Sequence, residues 1–369
     1  MKRRIILSGG GTGGHIFPAI AIAKAVQEEC EDMEILFVGA KGRMEMIRVP
    51  EAGFRIEGLD IQGLQRKITL KNIVENLKLP FRLYLSMQKA KAIIRQFSPD
   101  AVVGVGGYAS GPTLKVAASM HIPTLIQEQN SCPGITNRML AQKVDKICTA
   151  YDNMERFFPP EKTVKTGNPV RKDILSPVDK KEACAHFQLE DNKKTLAVIG
   201  GSLGSLTLNE SLSGFVEELV CQNIQLIWQT GASYYKELSE KYGHLKGIRV
   251  FPFVAKMDYL YAAADVVVSR AGALALSELC AVAKPCILIP SPNVSEDHQT
   301  KNANVLADAG AALQIPDNRA KTNLQNAVFE LMNNETQRKT MSENLQKLAL
   351  PNAAKQIANE IINLINNKK

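Results

Sequence analysis

The amino-acid sequence predicts an α/β protein made of two doubly wound domains, and three observations lead to this prediction. Short apolar runs rich in β-branched residues alternate with stretches of helical periodicity along the chain. The chain has 369 residues, which exceeds the usual size of one domain and suits two. Three glycine clusters directly follow predicted strands, which is typical of strand-to-helix turns in parallel sheets.

The two halves of the chain show the same order of strands and helices. Strands are predicted in the first half at Arg4–Ser8, Ile35–Gly39, Ala101–Val105, Thr124–Gln127 and Lys146–Thr149. The clearest helical patterns there are Pro18–Glu29 and Leu83–Gln96. Strands are predicted in the second half at Thr195–Ile199, Gln225–Gln229, Ile248–Phe251, Val266–Ser269 and Pro285–Ile289. Two such series predict two parallel sheets with helices on both faces.

The turn at 167–169 marks the expected domain boundary, because glycine and Asn-Pro interrupt regular structure. We therefore expect an N-terminal domain of residues 1–166 and a C-terminal domain of residues 167–352. The final segment, 353–369, has apolar residues at helical spacing. It predicts an amphipathic helix that packs back on the N-terminal domain.

Composition and cysteine usage limit the class of protein. With 45% hydrophobic and 22% charged residues, the chain is typical of a soluble or peripheral globular protein. No stretch has the pattern of a signal peptide or the length of a membrane-spanning helix. The seven cysteines include no CxxC pair, which favours free thiols in a reducing cytoplasm over disulfides or a metal site.

Positive charge is concentrated in the first half of the chain. Residues 1–168 hold 23 Lys or Arg and 16 Asp or Glu, whereas the rest of the chain holds 22 and 21. This asymmetry indicates an anionic partner of the N-terminal domain: nucleic acid, phospholipid or a phosphorylated substrate.

The three glycine clusters, at 8–15, 104–112 and 200–205, are candidate anion-binding loops. Glycine lets the backbone approach a ligand, and a helix that begins there directs N–H groups and a positive dipole end at an anion. The alternative for each cluster is a tight turn without a ligand. Three such turns at strand ends favour a ligand at that edge of the sheets.

The first cluster matches GxGxxG over residues 9–14, but a dinucleotide is disfavoured. Such a site needs an acid at the end of the second strand, whereas Glu34 opens that strand and residues 39–41 close it. The cluster also lacks the Gly-Lys-Ser/Thr ending of an ATP-binding loop. His15 follows directly, and it could be a general base, a phosphate contact or simply a residue at a helix N-terminus.

The segment 265–290 predicts a strand, a glycine turn, a helix and another strand in the C-terminal domain. The turn places a helix N-terminus where a diphosphate could bind. Glu278, in the early turns of that helix, could accept hydrogen bonds from a ribose diol or could be an acid that favours the helix dipole. The chain has no Asp-x-Asp pair, the motif with which many sugar transferases hold a metal ion on a diphosphate. We therefore expect no metal and no cofactor. A leaving diphosphate would instead be stabilised by helix ends.

Seven motifs in register along the chain resemble one enzyme family. They are GGGTGGHIFPA at 9–19, GVGGYASGP at 104–112, EQN at 128–130, GNPVR at 167–171, GGSLG at 200–204, SRAGALALSE at 269–278 and DHQTKNA at 297–303. Each motif is weak alone, but the seven together are specific. The chain resembles glycosyltransferase family 28, whose members have the GT-B architecture of two Rossmann-like domains facing each other across a cleft.

This resemblance implies an inverting transfer of N-acetylglucosamine from UDP-GlcNAc to the C4 hydroxyl of the MurNAc of lipid I. The product would be lipid II, for peptidoglycan synthesis. It also implies a peripheral protein at the cytoplasmic face of the inner membrane, on an anionic lipid surface. The alternative on the same architecture is a UDP-GlcNAc epimerase. A nucleic-acid-binding protein is disfavoured, because the aromatic content is 6% and no nucleic-acid motif occurs.

The donor contacts of the family carry over to matching positions in this sequence. The expected donor-binding residues are Thr12, Gly13, Gly14, Asn130, Arg171, Ser202, Val254, Ala273, Leu274, Ala275, Leu276, Ser277, Glu278 and Gln299. Within this set, Arg171 and Ser202 are expected beside the nucleotide and its phosphates. Val254 should present backbone groups to uracil, Glu278 should bind the ribose, and Gln299 should hold sugar hydroxyls.

The resemblance makes His15 the leading candidate for the base that takes the proton of the attacking hydroxyl. Glu128 and Tyr108 are alternative catalytic residues, and Asn130 could position the hydroxyl without a formal base. This sequence has Gln127 before Glu128, where some relatives have histidine.

Residues 64–97 are predicted to face the membrane. They hold eight Lys or Arg and a single acid, Glu75, with apolar residues interleaved at helical spacing. Such a segment suits an amphipathic helix on anionic lipid. The expected membrane contacts are Lys71, Ile73, Leu77, Lys78, Phe81 and Arg82. The alternative is that the apolar residues belong to the core of the N-terminal domain and the basic ones form a solvated face.

Overall fold

The structure is a computed structural model that describes residues 2–63, 69, 77 and 79–367. The chain divides into two compact units, each with its own sheet and hydrophobic core. Unit 1 comprises Met1–Pro169 and Asn352–Lys369, and unit 2 comprises Val170–Pro351.

Unit 1 is built on one parallel sheet. Its strands are β1 (Arg3–Ser8), β2 (Met33–Ala40), β3 (Arg55–Leu59), β4 (Ala101–Gly104), β5 (Thr124–Glu128), β6 (Lys146–Thr149) and β7 (Thr163–Lys165). They are ordered β3-β2-β1-β4-β5-β6-β7. The helices before Pro169 are α1 (Gly13–Glu29), α2 (Glu45–Glu51), α3 (Leu79–Phe97), α4 (Ser110–Ser119) and α5 (Ile135–Leu140).

Unit 2 repeats this construction with a smaller parallel sheet. Its strands are β8 (Thr195–Ile199), β9 (Gln225–Gln229), β10 (Ile248–Phe251), β11 (Val266–Ser269), β12 (Cys286–Leu288) and β13 (Leu313–Gln314), in the order β10-β9-β8-β11-β12-β13. Its helices are α6 (Lys172–Leu175), α7 (Lys180–His186), α8 (Leu206–Ser213), α9 (Val216–Cys221), α10 (Ala232–Tyr242), α11 (Met257–Ala263), α12 (Ala273–Ala281), α13 (His298–Asp308), α14 (Ala320–Asn333) and α15 (Glu335–Leu348).

The last helix, α16 (Ala353–Asn366), belongs to unit 1 and packs on α1. Its apolar side, with Ile357, Ile361 and Ile365, is buried in the same core cluster as Ile16 of α1. A helix with one apolar stripe is stable only where that stripe is covered, and α1 provides the cover.

The central strands are apolar throughout because both faces of each sheet are covered. In β1, Ile5 and Leu7 belong to the core cluster on one face and Ile6 to the cluster on the other. Ile5 is in register with Ile35 of β2 and with Ala101 of β4. The predicted fold class, α/β with two Rossmann-like domains, is confirmed.

Each sheet has a topological switch point, where the chain leaves neighbouring strands in opposite directions. In unit 1 this point lies between β1 and β4, and in unit 2 between β8 and β11. Ligands of open α/β sheets bind at the carboxyl ends of the strands at such a point. Glycine-rich loops follow both strands of the pair in unit 1, and in unit 2 a glycine-rich loop follows β8 and the Arg270–Ala273 turn follows β11.

The sequence patterns missed three strands, β3, β7 and β13. All three lie at or next to the end of a sheet, and each has partly exposed residues. Edge strands need less apolar surface, so their periodicity is weak.

Helix α1 also begins five residues before the expected start at Pro18, because the glycine-rich turn already has helical geometry from Gly13.

Candidate active site

The first and second glycine loops of unit 1 touch each other at the switch point. Gly106 has φ +90°, and a Cβ there would lie 2.8 Å from Cδ2 and 2.9 Å from Nε2 of His15. A Cβ on Gly107 would lie 2.2 Å from the carbonyl oxygen of Gly10. Glycine is required at both positions, because a side chain would clash with the ring or with the opposing loop.

The start of α1 brings four of the predicted site residues together. Thr12 is the N-cap residue, and its Oγ1 lies 3.4 Å from Nδ1 of His15. Thr12 and Gly14 are exposed, whereas Gly13 and His15 are half-buried. The first N–H groups of a helix have no intrahelical acceptor, so this corner offers anion-binding donors beside an imidazole that can exchange a proton.

Glu45 is a buried carboxylate at this corner that the sequence analysis missed. Its Oε2 accepts from the N–H of Gly11 at 3.0 Å, and its Oε1 accepts from the N–H of Ala40 at 3.0 Å. A Cβ on Gly10 would lie 2.1 Å from the carboxylate. One N–H group of the first loop, that of Gly11, is therefore already hydrogen-bonded within the protein, to Glu45. In the sequence, Glu45 resembles any acid in the first turn of a helix.

Glu128 is 1% exposed and both of its carboxylate oxygens are engaged. Oε1 accepts from the backbone and side-chain amides of Asn130 at 3.0 and 3.2 Å. Oε2 accepts from the N–H of Gly134 at 3.1 Å and from Nδ2 of Asn137 at 2.8 Å. Burial raises the pKa of Glu128, and these hydrogen bonds oppose the rise. The geometry disfavours Glu128 as a base and indicates that it holds the loop after β5.

A buried amide network joins this loop to the second glycine loop. Gln129 Nε2 donates to the carbonyl of Val105 at 2.8 Å. Asn168 Nδ2 donates to the carbonyl of Gln129 at 3.0 Å, and Gln127 Nε2 donates to Asn168 Oδ1 at 3.1 Å. The loops after β4 and β5 are thereby linked, and Asn130, half-buried, lies at their edge with its side chain oriented by Glu128.

The switch point of unit 2 is organised around Arg270. Its guanidinium donates to Ser205 Oγ at 2.6 Å, to the carbonyl of Ile289 at 3.0 Å and to the carboxylate of Asp317. Ser205 is in turn the N-cap of α8. Arg270 thus fixes the turn before α12 against the third glycine loop, in which Ser202 is exposed.

Close backbone approach shapes the third glycine loop. Gly204 has φ +79°, and a Cβ there would lie 2.0 Å from the carbonyl oxygen of Thr230. The loop and the end of β9 therefore pack backbone to backbone. This leaves Ser202 and the start of α12, at Ala273, at the carboxyl edge of the same sheet.

Arg171 and Glu278, two predicted site residues far apart in sequence, lie together. Arg171 Nε is 3.8 Å from Glu278 Oε1, and the Glu278 side chain is 13% exposed. Tyr261 donates its hydroxyl to Glu278 Oε2 at 2.9 Å. Burial raises the pKa of Glu278, and the Arg171 guanidinium opposes the rise. Tyr261 was not identified from the sequence, because a tyrosine in a helix is usually a core residue.

Two further predicted residues have one polar group already engaged. The N–H of Val254 donates to Gln229 Oε1 at 2.8 Å, so this N–H is already engaged within unit 2. Gln299 Oε1 accepts from the N–H of Ser291 at 2.8 Å, so its amide N–H₂ is the group suited to a sugar hydroxyl. In α12, residues 273–275 and Ser277 are half-buried and Leu276 is buried.

The described part of the predicted membrane segment places its apolar residues on the surface. Leu77 is exposed, Phe81 is 65% exposed, and Arg82 is half-buried. Tyr84 and Leu85 of α3 are also exposed. These residues are therefore not part of the core. Lys71, Ile73 and Lys78 lie outside the described residues.

The described residues contain neither a membrane-spanning helix nor a metal-binding cluster. Across 2–63 and 79–367 with residues 69 and 77, no helix combines the length and apolarity needed to cross a bilayer. Within the same ranges, no cluster of three or more His, Cys, Asp or Glu side chains could hold a metal ion.

Two parallel-sheet domains with glycine-rich corners at their switch points, one of them beside a partly buried Arg–Glu–Tyr group, are typical of nucleotide-binding proteins of the two-domain Rossmann-like class. The chain belongs to glycosyltransferase family 28. The model of the family's N-terminal domain matches residues 5–149, and the model of its C-terminal domain matches residues 195–357.

Similar proteins span the whole chain. A protein of Parabacteroides distasonis named UDP-N-acetylglucosamine–N-acetylmuramyl-(pentapeptide) pyrophosphoryl-undecaprenol N-acetylglucosamine transferase is 50% identical over 373 aligned positions, covering 100% of both chains. The crystal structure of MurG from Acinetobacter baumannii is 29% identical with a TM-score of 0.78, covering 98% of this chain and 99% of that one.

Epimerases share the fold at greater distance. A UDP-GlcNAc 2-epimerase of Neisseria meningitidis, bound to UDP-GlcNAc, is 14% identical with a TM-score of 0.67, covering 98% of this chain and 100% of that one. A likeness of this degree concerns the fold and does not argue for an epimerase activity.

Proposed function

We propose that this chain transfers N-acetylglucosamine from UDP-GlcNAc to the C4 hydroxyl of the MurNAc of lipid I, with inversion at the anomeric carbon, to form lipid II. The observation that carries the proposal is full-length similarity, at 50% identity, to a transferase named for this reaction. The two switch-point corners and the Arg171–Glu278 pair supply the chemistry that the reaction needs.

The uridine diphosphate part of the donor binds to unit 2. The start of α12 and the third glycine loop provide N–H groups and a positive dipole end for the diphosphate, with Ser202 as a further donor. The Glu278 carboxylate accepts hydrogen bonds from the ribose hydroxyls, the Val254 carbonyl faces uracil, and the Gln299 amide donates to the sugar. Arg171 adds a positive charge beside the nucleotide.

Leaving-group stabilisation comes from these same groups. As the bond to the anomeric carbon breaks, negative charge grows on the diphosphate, and fixed N–H dipoles at a helix end stabilise it without reorganising. This electrostatic assistance acts in the transition state more than in the ground state, so it raises turnover.

The attacking hydroxyl loses its proton to a group of unit 1. His15 is the best placed of the candidates, since it is half-buried, lies against Gly106 and adjoins the first N–H groups of α1. Asn130, oriented by Glu128, positions the sugar at the same edge of the sheet. Tyr108 is exposed and remains an alternative proton acceptor.

The acceptor's lipid reaches unit 1 from an anionic bilayer at the cytoplasmic face of the inner membrane. Phe81, Tyr84 and Leu85 form an exposed apolar group on α3, which we call the α3 patch, and Arg82 lies within it. Apolar side chains that enter the interface beside basic ones bind anionic lipid both by the hydrophobic effect and by charge.

The test is incubation of the purified chain with radiolabelled UDP-GlcNAc and a lipid I analogue. We expect labelled disaccharide-lipid and UDP in equal amounts, and no reaction when the acceptor is omitted. The Glu278→Ala variant serves as the donor-binding control and should give little product. Conversion of UDP-GlcNAc to an isomeric UDP-sugar without acceptor would contradict the proposal and favour the epimerase.

A further inference from the structure

Tyr261 makes a direct hydrogen bond to Glu278. Its hydroxyl donates to Oε2 at 2.9 Å, whereas Arg171 Nε lies 3.8 Å from Oε1. Tyr261 is 2% exposed, so its ring is locked in the core and its hydroxyl has a fixed position. The carboxylate is thus held at one oxygen by a rigid donor.

Three helices bring these groups together. Arg171 is the N-cap of α6, Tyr261 lies in α11, and Glu278 lies in α12. Helix α6 contacts both α11 and α12. The position of the carboxylate therefore depends on the packing of unit 2 and not on the rotamer preferences of an isolated glutamate.

We propose that Tyr261 is a positioning residue, which orients the Glu278 carboxylate toward the ribose hydroxyls of the donor and so sets the preference for ribonucleotides over 2′-deoxyribonucleotides. The inference rests on the proposed function, because it needs a uridine nucleotide in unit 2. No sequence pattern assigned a role to Tyr261.

The number of hydrogen bonds that the Glu278 carboxylate can accept supports this role for Tyr261. A carboxylate oxygen has two lone pairs, so Oε2 can accept from the Tyr261 hydroxyl and from a ribose hydroxyl at once. A glutamate side chain has three rotatable bonds, and a donor that fixes its plane removes much of the ordering cost of binding a diol. Burial raises the pKa of Glu278, while the bond from Tyr261 favours the ionised carboxylate, which is the better acceptor.

A packing role for Tyr261 makes a different prediction. The ring belongs to the main core cluster of unit 2, so its loss would weaken binding of every nucleotide alike. Orientation of Glu278 instead affects only ligands that carry the hydroxyl which Glu278 contacts. The ratio of two affinities, UDP over 2′-deoxy-UDP, separates these roles.

The experiment is calorimetric titration of the full chain with UDP and with 2′-deoxy-UDP. A hydrogen bond to a charged group corresponds to a preference of about tenfold or more for UDP in the unaltered protein. Tyr261→Phe should lower this preference about three- to fivefold, mainly by weakening UDP binding. Tyr261→Met, which also lacks the hydroxyl, is the second variant in case the first does not fold.

Tyr259→Phe is the matched control. Tyr259 lies on the same helix and donates its hydroxyl to another glutamate, Glu182. It should keep the preference of the unaltered protein. In a Glu278→Gln background, Tyr261→Phe should have no further effect on the ratio, because the two residues act through one contact.

The outcomes separate this inference from the proposed function. An unchanged ratio in Tyr261→Phe, or no preference for UDP in the unaltered protein, would overturn the positioning role while leaving nucleotide binding intact. If the unaltered protein binds neither nucleotide, the proposed function fails with it.

Discussion

At the scale of single residues, the structure changes the interpretation of Glu128 from a reacting group to a structural one. The resemblance to the family implies Glu128 as an alternative catalytic base, but in the structure four N–H groups surround its carboxylate. A base needs a free lone pair within reach of the substrate proton. Glu128 is better suited to hold Asn130 and the start of α5 in place.

Glu128→Gln should therefore destabilise the protein. An amide N–H₂ would face two N–H donors in a buried site, which costs about 1–3 kcal/mol. Urea unfolding of the variant measures this cost. The control is Glu155→Gln, an exposed acid of the same unit, which should leave stability unchanged. Full stability of Glu128→Gln with a hundredfold loss of turnover, about the size of general-base catalysis, would restore Glu128 as the base.

His15→Ala should lower turnover by about 10²- to 10⁴-fold, the usual contribution of a general base. The Michaelis constant for UDP-GlcNAc should change little, because the donor is held mainly by unit 2. Steady-state kinetics with both substrates varied separates the two effects. His244→Ala, at an exposed position in unit 2, is the control. Near-normal turnover of His15→Ala would exclude it as the base and favour Tyr108.

Glu278 predicts a pH dependence of donor binding. Burial raises the pKa of Glu278, so its carboxylate is protonated at a higher pH than an exposed glutamate. In the proposed complex the ionised form accepts from the ribose, so UDP-GlcNAc affinity should fall as the pH drops through that raised pKa. Titration calorimetry from neutral to acidic pH measures this. A Glu278→Gln variant should show no such fall, and an equal fall in both proteins would assign the effect to another group.

At the scale of elements, the two halves of α3 have different surroundings. Its second half packs into the core through Ala90, Ile94 and Phe97, whereas the α3 patch in its first half is exposed. Exposed large apolar side chains next to basic ones indicate a binding surface. The packed half fixes the direction in which the α3 patch faces.

Phe81→Glu should reduce binding to vesicles of phosphatidylglycerol and phosphatidylethanolamine by about tenfold or more, because it removes an apolar contact and adds a like charge to the anionic surface. Sedimentation with vesicles measures the bound fraction. Ile47→Glu, an exposed apolar position elsewhere in unit 1, is the matched control. Equal losses in the two variants, or none in Phe81→Glu, would remove the α3 patch from the membrane contact.

At the scale of the whole molecule, the groups that the proposed reaction needs are distributed over two units with separate cores. Unit 2 carries the groups suited to the uridine diphosphate, and unit 1 carries the candidate base and the α3 patch. The excess of positive charge in residues 1–168 agrees with an anionic lipid partner for unit 1.

This division predicts where UDP protects the backbone. Hydrogen exchange with saturating UDP should slow at the third glycine loop, at 253–255 and at the start of α12, all in unit 2. Loops of unit 1 should respond less, because UDP lacks the sugar that they contact. Saturation at about 100 times the dissociation constant should also stabilise the folded state by about 2.7 kcal/mol. Protection confined to unit 1 would reverse the assignment of the donor.

The sequence by itself determined the fold class and most of the strands. Apolar runs that are buried on both faces carry a strong signal, which is why β8, β9 and β11 begin and end at the predicted residues. Glycine clusters at strand ends predicted both switch-point corners. These are local features, and local sequence patterns report them.

Only the tertiary structure decided which polar groups meet. Tyr261 and Glu278 are 17 positions apart, and Glu45 and Gly11 are 34 apart. No short-range pattern links such pairs, since their contact depends on how helices pack on the sheet. The hydrogen bonds to Glu128 likewise depend on the folded loop around it. The sequence cannot show them, because a glutamate is the same letter whether its carboxylate is free or fully hydrogen-bonded.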